Sequence, residues 1–247
     1  MGFSRYKLLS VSADAKTTKG EAYGILTGML SLASNNTSGY EVCPFATKEC
    51  RANCNGLYSG RARFSNVRKA RINKTKRFFE DRETFLKELE LDIRYLLLEA
   101  DSKGLKPAIR LNGYSDILWE NIIVKDGKNF FQLFPDVQFY DYTAFPIRHR
   151  NTTIKNYHLT FSRKENTPWE LIETTLQGGH NVAIVFSGEM PQTYRGYQVI
   201  NGDMNDVRFN DPQGTIIGLT PKGDLKKRDS DFSIKANKGQ SLTPFQS

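Results

Sequence analysis

Seven short apolar runs punctuate this chain, and each closes on small or polar residues. They occupy residues 24–34, 107–113, 137–143, 157–162, 181–188, 197–202 and 215–221. In the fifth, positions 182–186 are apolar throughout, so both faces of that strand expect burial. Helical patterns lie between several runs. Phe78, Phe85, Leu89, Ile93, Leu96 and Leu97 fall at helical spacing and predict helices over 65–80 and 82–103, with Asp81 as cap and Gly104 as stop. Thr167-Pro168 and Gly178-Gly179 bracket another. Strands alternating with helices specify an α/β chain with a mostly parallel sheet. Seven strands suit a single-domain partial (β/α) barrel over residues 1–225, with 226–247 as a C-terminal extension. Only about ten residues separate the fifth and sixth runs, which is short for a crossover helix.

In such folds the working residues gather at the C-terminal ends of the strands. Here those ends are strongly polar. Asn112 and Gly113 close the second run with Ser115 and Asp116 just after, Asp141 and Tyr142 lie at the end of the third, and Ser162 closes the fourth with Arg163 and Lys164 after it. Asp141 could serve as an acid, a base or a substrate acceptor, with Tyr142 beside it facing the substrate. Arg163 or Lys164 could pair with a carboxylate or phosphate. Plain structural readings compete: Ser115 or Asp116 as a helix cap, Asp141 as a turn residue. Ser187-Gly188 and Asn201-Gly202-Asp203 read as turns, or as places where backbone closely approaches a flat ligand. His158 lies inside a strand and reads as a packing residue.

All three cysteines, Cys43, Cys50 and Cys54, fall within residues 41–56, just after the first strand. No apolar run approaches a membrane span, and the first residues lack a signal-peptide core, so the expectation is a soluble cytoplasmic protein. Thiols stay reduced there, and clustered cysteines then favour metal binding or catalysis over disulfides. Thiolates suit zinc, copper(I) and iron–sulfur clusters. The C-x6-C-x3-C spacing lacks the paired C-x2-C halves of a zinc ribbon, although His149, His158 or His180 could complete a zinc site from afar. A set of buried thiols acting as small apolar residues is a further reading. The remaining one is a [4Fe–4S] cluster on three thiolates with its fourth iron open, since clusters that only transfer electrons are usually held by four.

The formal charge is +8, and Arg61, Arg63, Arg68, Lys69, Arg71, Lys74, Lys76 and Arg77 follow the cysteines directly. This stretch could contact nucleic-acid phosphates or simply be a solvated helix face. No phosphate loop, dinucleotide fingerprint or nucleophile elbow appears.

Five segments together resemble the phage "gene product 88" family, over about residues 20–220: residues 38–56, 68–79, 110–120, 138–143 and 156–166. Three cysteines after the first strand of a βα chain are also similar to the radical S-adenosylmethionine (SAM) enzymes, whose usual spacing, C-x3-C-x2-C, differs from this one. The resemblance implies a phage protein with an iron–sulfur site and a radical-SAM-like barrel. It implies SAM on the open iron, with Asn112, Gly113, Ser115, Asp116, Ser162 and Arg163 as its rim, and a reductant such as flavodoxin. The family pattern leads one to expect a lysine where this chain has Ala144, so a role for that lysine does not carry over. The alternative from a different class is a non-catalytic nucleic-acid-binding protein with a structural zinc or iron–sulfur site.

Overall fold

The computed structural model describes residues 7–12 and 18–236. Ten strands join in one sheet. They are β1 (Leu9–Val11), β2 (Ile25–Leu30), β3 (Lys106–Arg110), β4 (Gln138–Thr143), β5 (Tyr157–Ser162), β6 (Asn181–Gly188), β7 (Thr193–Tyr194), β8 (Tyr197–Asn201), β9 (Ile216–Leu219) and β10 (Ser233–Ala236). The helices are α1 (Lys48–Ala52), α2 (Asn55–Tyr58), α3 (Ser65–Glu80), α4 (Arg82–Ser102), α5 (Phe130–Leu133) and α6 (Trp169–Gln177).

The strand order is β1-β2-β3-β4-β5-β6-β9-β8-β7, with β10 on β6. Every pairing is parallel except β1 with β2 and β7 with β8. Among the described residues no pairing joins β1 to β7, so the sheet is open and no closed barrel forms. The sequence pattern breaks where the chain is too short for a crossover. After β6 it turns back in a hairpin, Arg195 and Gly196 both taking positive φ (49° and 83°), as a type I′ turn requires.

Helices α3 and α4 supply the larger core. Phe78, Phe85, Leu89, Ile93 and Leu96 are buried as their spacing predicts and share one cluster with Leu26, Ile109, Phe139 and Phe186. Asp81 sits at the α4 N-cap position, but its side chain makes no capping bond. Asp92 is the buried exception on α4; it accepts from the backbone N–H of Lys7, Leu8 and Leu9 and so fixes β1. The other sheet face carries a smaller cluster of Ile25, Ala108, Tyr140 and Val207, with Phe209 packed against it. Val207 and Phe209 come from the β8–β9 loop, which therefore fills part of that face. No helix among the described residues is long and apolar enough to cross a membrane.

The expected C-terminal extension begins inside the fold. β10 continues beside β6 at Val185–Gly188, beyond the Asn181–Ala183 stretch paired with β5. Residues 237–247 of that extension lie outside the described residues.

Candidate functional site

The loop after β2 is not irregular throughout. Cys50 lies inside α1, and Cys54 is the N-cap residue of α2. Thr47 caps α1 by accepting from the Cys50 N–H at 3.3 Å, while Glu165 accepts from Thr47 Oγ1 (2.6 Å) and the Glu49 N–H (3.1 Å). Gly56 lets α2 press against its neighbours: a Cβ there would stand 2.0 Å from Ser34 Oγ and 3.0 Å from the Tyr114 side chain.

The basic stretch holds this loop in place. Arg71 donates to the Gly56 carbonyl (2.9 Å) and lies 4.1 Å over the Tyr114 ring. Arg68 donates to the Ala62 and Leu57 carbonyls, and Arg63 to that of Tyr58. Lys74 reaches the Leu8 carbonyl at 2.6 Å, and burial brings its amine down to about 8. Lys69 and Arg61 are exposed. Periodicity could not reveal this, because the partners are backbone carbonyls, those of residues 56–62 for the arginines and that of Leu8 for Lys74.

A cavity of about 320 Å³ opens at the C-terminal strand ends. Cys43, Cys50 and Cys54 all line it, as free thiols. So do Asn112, Gly113, Ser115 and Asp116, together with Tyr142 and Ser162. Cys43 Sγ accepts from the Asn35 N–H at 3.4 Å. Burial pushes the Cys43 thiol up to about 12, and the neighbouring Asp116, Cys54 and Cys50 add to the rise. Burial also raises Cys50, against the ammonium of Lys164. Among the described residues no three His, Cys, Asp or Glu side chains gather around one point as ligands of a single metal ion would. The thiols share a cavity wall without closing on one point.

Two expected site residues stand elsewhere, Asp141 from the substrate side and Arg163 from the cofactor rim. Asp141 lies behind the cavity wall, wholly buried, accepting from the Asn112 N–H (2.8 Å) and the Tyr157 hydroxyl (3.0 Å). Alternation along β4 sends Asp141 and Tyr142 to opposite faces, and only Tyr142 lines the cavity. Burial pushes the Asp141 carboxyl up to about 7 against the pull of Arg110 and its own hydrogen bonds. Arg163 is a latch: it donates to the carbonyls of Asp231 and Phe232, both at 2.9 Å, and so ties down the start of β10. Lys164 takes its place at the cavity, its Nζ 3.0 Å from Ser162 Oγ.

Behind the wall runs a network that the sequence reading missed. Arg150 is buried and donates to Glu120 (2.6 and 3.0 Å), Thr143 Oγ1 (2.7 Å), the Tyr157 hydroxyl (3.0 Å) and Asp116 (3.4 Å). Asp116 also accepts from the Ala144 N–H at 2.7 Å. Asn112 closes on its own loop, accepting from Ser115 Oγ and the Ile117 N–H. A lone Glu120 within the apolar stretch 117–123 was the available signal for a buried ionic partner.

The C-terminal segment completes the front. Ser230 Oγ donates to Glu49 (2.5 Å), Arg228 to the Ala52 carbonyl (3.3 Å), and Arg63 pairs with Asp224. Leu225 and Phe232 line the cavity with Val185 and Leu219.

No curated protein and no solved structure matches this chain. The model of one family, gene product 88, matches residues 5–236. The chain therefore belongs to the gene product 88 family of phage proteins.

Proposed function

We propose that this protein is an iron–sulfur enzyme in which Cys43, Cys50 and Cys54 hold a [4Fe–4S] cluster and the adjoining cleft takes S-adenosylmethionine. The observation that carries the reading is the convergence of every thiol in the chain on one cavity at the strand ends. A single zinc ion needs sulfurs about 3.8 Å apart around one centre. A [4Fe–4S] cluster takes each thiolate on a different iron, so its thiols need not close on one centre. Bound there, such a cluster supplies an electron and one open iron coordination position.

The chain's own residues give the cofactor a place. Val185, Leu219, Leu225 and Phe232 offer an apolar surface for a flat base, and Ser162 a hydroxyl partner for a ribose. Lys164 offsets negative charge beside Cys50. Gly113 must be glycine for packing alone, since a Cβ would stand 2.7 Å from the Leu30 carbonyl oxygen. Asp116 and Asn112 shape the loop, their side chains already bonded to Arg150, Ala144, Ser115 and Ile117. The run β2-β3-β4-β5-β6-β9, parallel throughout and in chain order, supports reading the fold as a partial (β/α) barrel. Host cytoplasm and a flavodoxin-type reductant are the working context of this reading. Of the eight basic residues after the cysteines, Arg63, Arg68 and Arg71 are engaged with carbonyls of residues 56–62 and Lys74 with that of Leu8, which leaves fewer of them for phosphate contact.

Anaerobic purification followed by equilibrium dialysis with labelled SAM tests this. Wild-type protein should be brown, bind SAM and consume it under a chemical reductant, while Cys50→Ala should do neither. A colourless protein with about one zinc per chain would overturn the reading.

A further inference from the structure

The end of the cavity away from the thiols is built differently. Arg110, the last residue of β3, is 2% exposed yet lines the cavity. Its guanidinium lies 5.5 Å and 5.2 Å from the Tyr140 and Tyr142 ring centres. Its Nη1 pairs with Asp206, and its buried Nε has no hydrogen-bond partner among the described residues. A buried donor left unpaired calls for a partner. In a guanidinium the Nε–Nη2 edge is the fork that matches a carboxylate or phosphate, and on Arg110 the Nε of that edge is unpaired.

Charge points the same way. Lys19, Arg110, Lys164 and Lys222 line the cavity with three carboxylates, Asp116, Asp203 and Asp206. Arg150 meets Asp116 from behind the wall. Lys164 stands beside Cys50 at the thiol end; at the other, Lys19, Arg110 and Lys222 face two carboxylates, Asp203 and Asp206, an excess of one positive charge in a concave site, which concentrates anions. Both carboxylates belong to the β8–β9 loop. Lys222 also lines the cavity and pairs with Asp203 at 2.6 Å, its side chain 50% exposed. Gly202 keeps that loop close, since a Cβ there would stand 2.5 Å from Ile217.

We infer that this end of the cavity is a subsite for the anionic group of the substrate, a carboxylate or a phosphate ester, held by Arg110 and Lys222. The inference rests on the reading of the cavity as a working site, yet its test needs no metal. Isothermal titration of the full chain, before and after cluster loading, would use inorganic phosphate, adenosine monophosphate and succinate as probes.

The expected result is saturable binding of one probe class at one site per chain, in both preparations. Arg110→Gln should weaken it about tenfold or more and Lys222→Gln about threefold, as loss of a charge-assisted bond implies. Binding by the phosphates alone identifies a phosphate ester; binding by succinate alone identifies a carboxylate. Lys222 is half-exposed, so its variant should fold even if the Arg110 variant does not. No saturable binding, or wild-type affinity in Lys222→Gln, overturns the inference. Because metal-free protein is titrated too, loss of the iron–sulfur reading would leave this result standing on its own.

Discussion

Behind the strand ends, Arg150 donates to Glu120, Asp116, Thr143 and Tyr157, and Tyr157 donates onward to Asp141. In front, facing the cavity, the polar groups are less complete. Three thiols carry no disulfide, Lys164 reaches a serine, and Arg110 keeps one donor unpaired. The two regions share a strand end, and Asp116 touches both. Saturated polar groups behind the wall set geometry; in front, a buried donor of Arg110 stays unpaired. Burial of polar residues therefore does not by itself mark the working site. Asp141 has the perturbed carboxyl that a search for catalytic groups would select, yet it serves Asn112 and Tyr157.

Removing Arg150 breaks the comparison hardest. Arg150→Ala leaves Glu120 and Asp116 buried without their cation, a loss of about 3–5 kcal/mol by chemical denaturation. Cys43→Ala in metal-free protein should stay within about 1 kcal/mol of wild type, because a neutral half-buried thiol acts as a small apolar group. Equal losses in the two variants would erase the distinction.

Asp141 gives a pH signature. Its folded value, about 7, lies above the ordinary carboxyl value of 3.8, so the folded state holds the proton more tightly than the unfolded state. That contribution to stability is fully present below pH 3.8 and is lost as pH rises through about 7. Wild-type stability should therefore fall across that window relative to Asp141→Asn, whose curve lacks this component. Parallel curves from denaturation at several pH values would contradict the assignment.

The strap over the cavity should respond more weakly. Gly223→Val forces a Cβ to 2.7 Å from the Tyr58 carbonyl oxygen at a φ of 58°, and should speed limited proteolysis within 223–236 while the remaining fold persists. The smallest effect belongs to Arg63→Lys, which keeps the charge of an exposed pair with Asp224 and should change stability by less than about 1 kcal/mol.

Much of the sheet was legible because burial on both faces writes continuous apolar runs, as in β6. The helices over 65–80 and 82–102 followed from a clear stripe of Phe78, Phe85, Leu89 and Ile93. β1, β7 and β10 were not legible: two to four residues carry too little pattern, and tertiary partners such as Asp92 and β6 define them. At the site, the cysteines and the polar ends of β3 and β5 were visible as clusters of unusual residues. Period-2 alternation could have separated Asp141 from Tyr142 in advance. That Arg163 is a latch, and that Arg68 and Arg71 bond backwards to the cysteine loop, depended on contacts between distant segments or with backbone atoms.

The most direct test of the central claim is a count of iron and acid-labile sulfide per chain after anaerobic reconstitution, in wild type and in the three single Cys→Ala variants. The account predicts about four of each in wild type and a loss of cluster in all three variants. Full iron and sulfide retained in any variant, or a wild-type chain that holds neither, would contradict it.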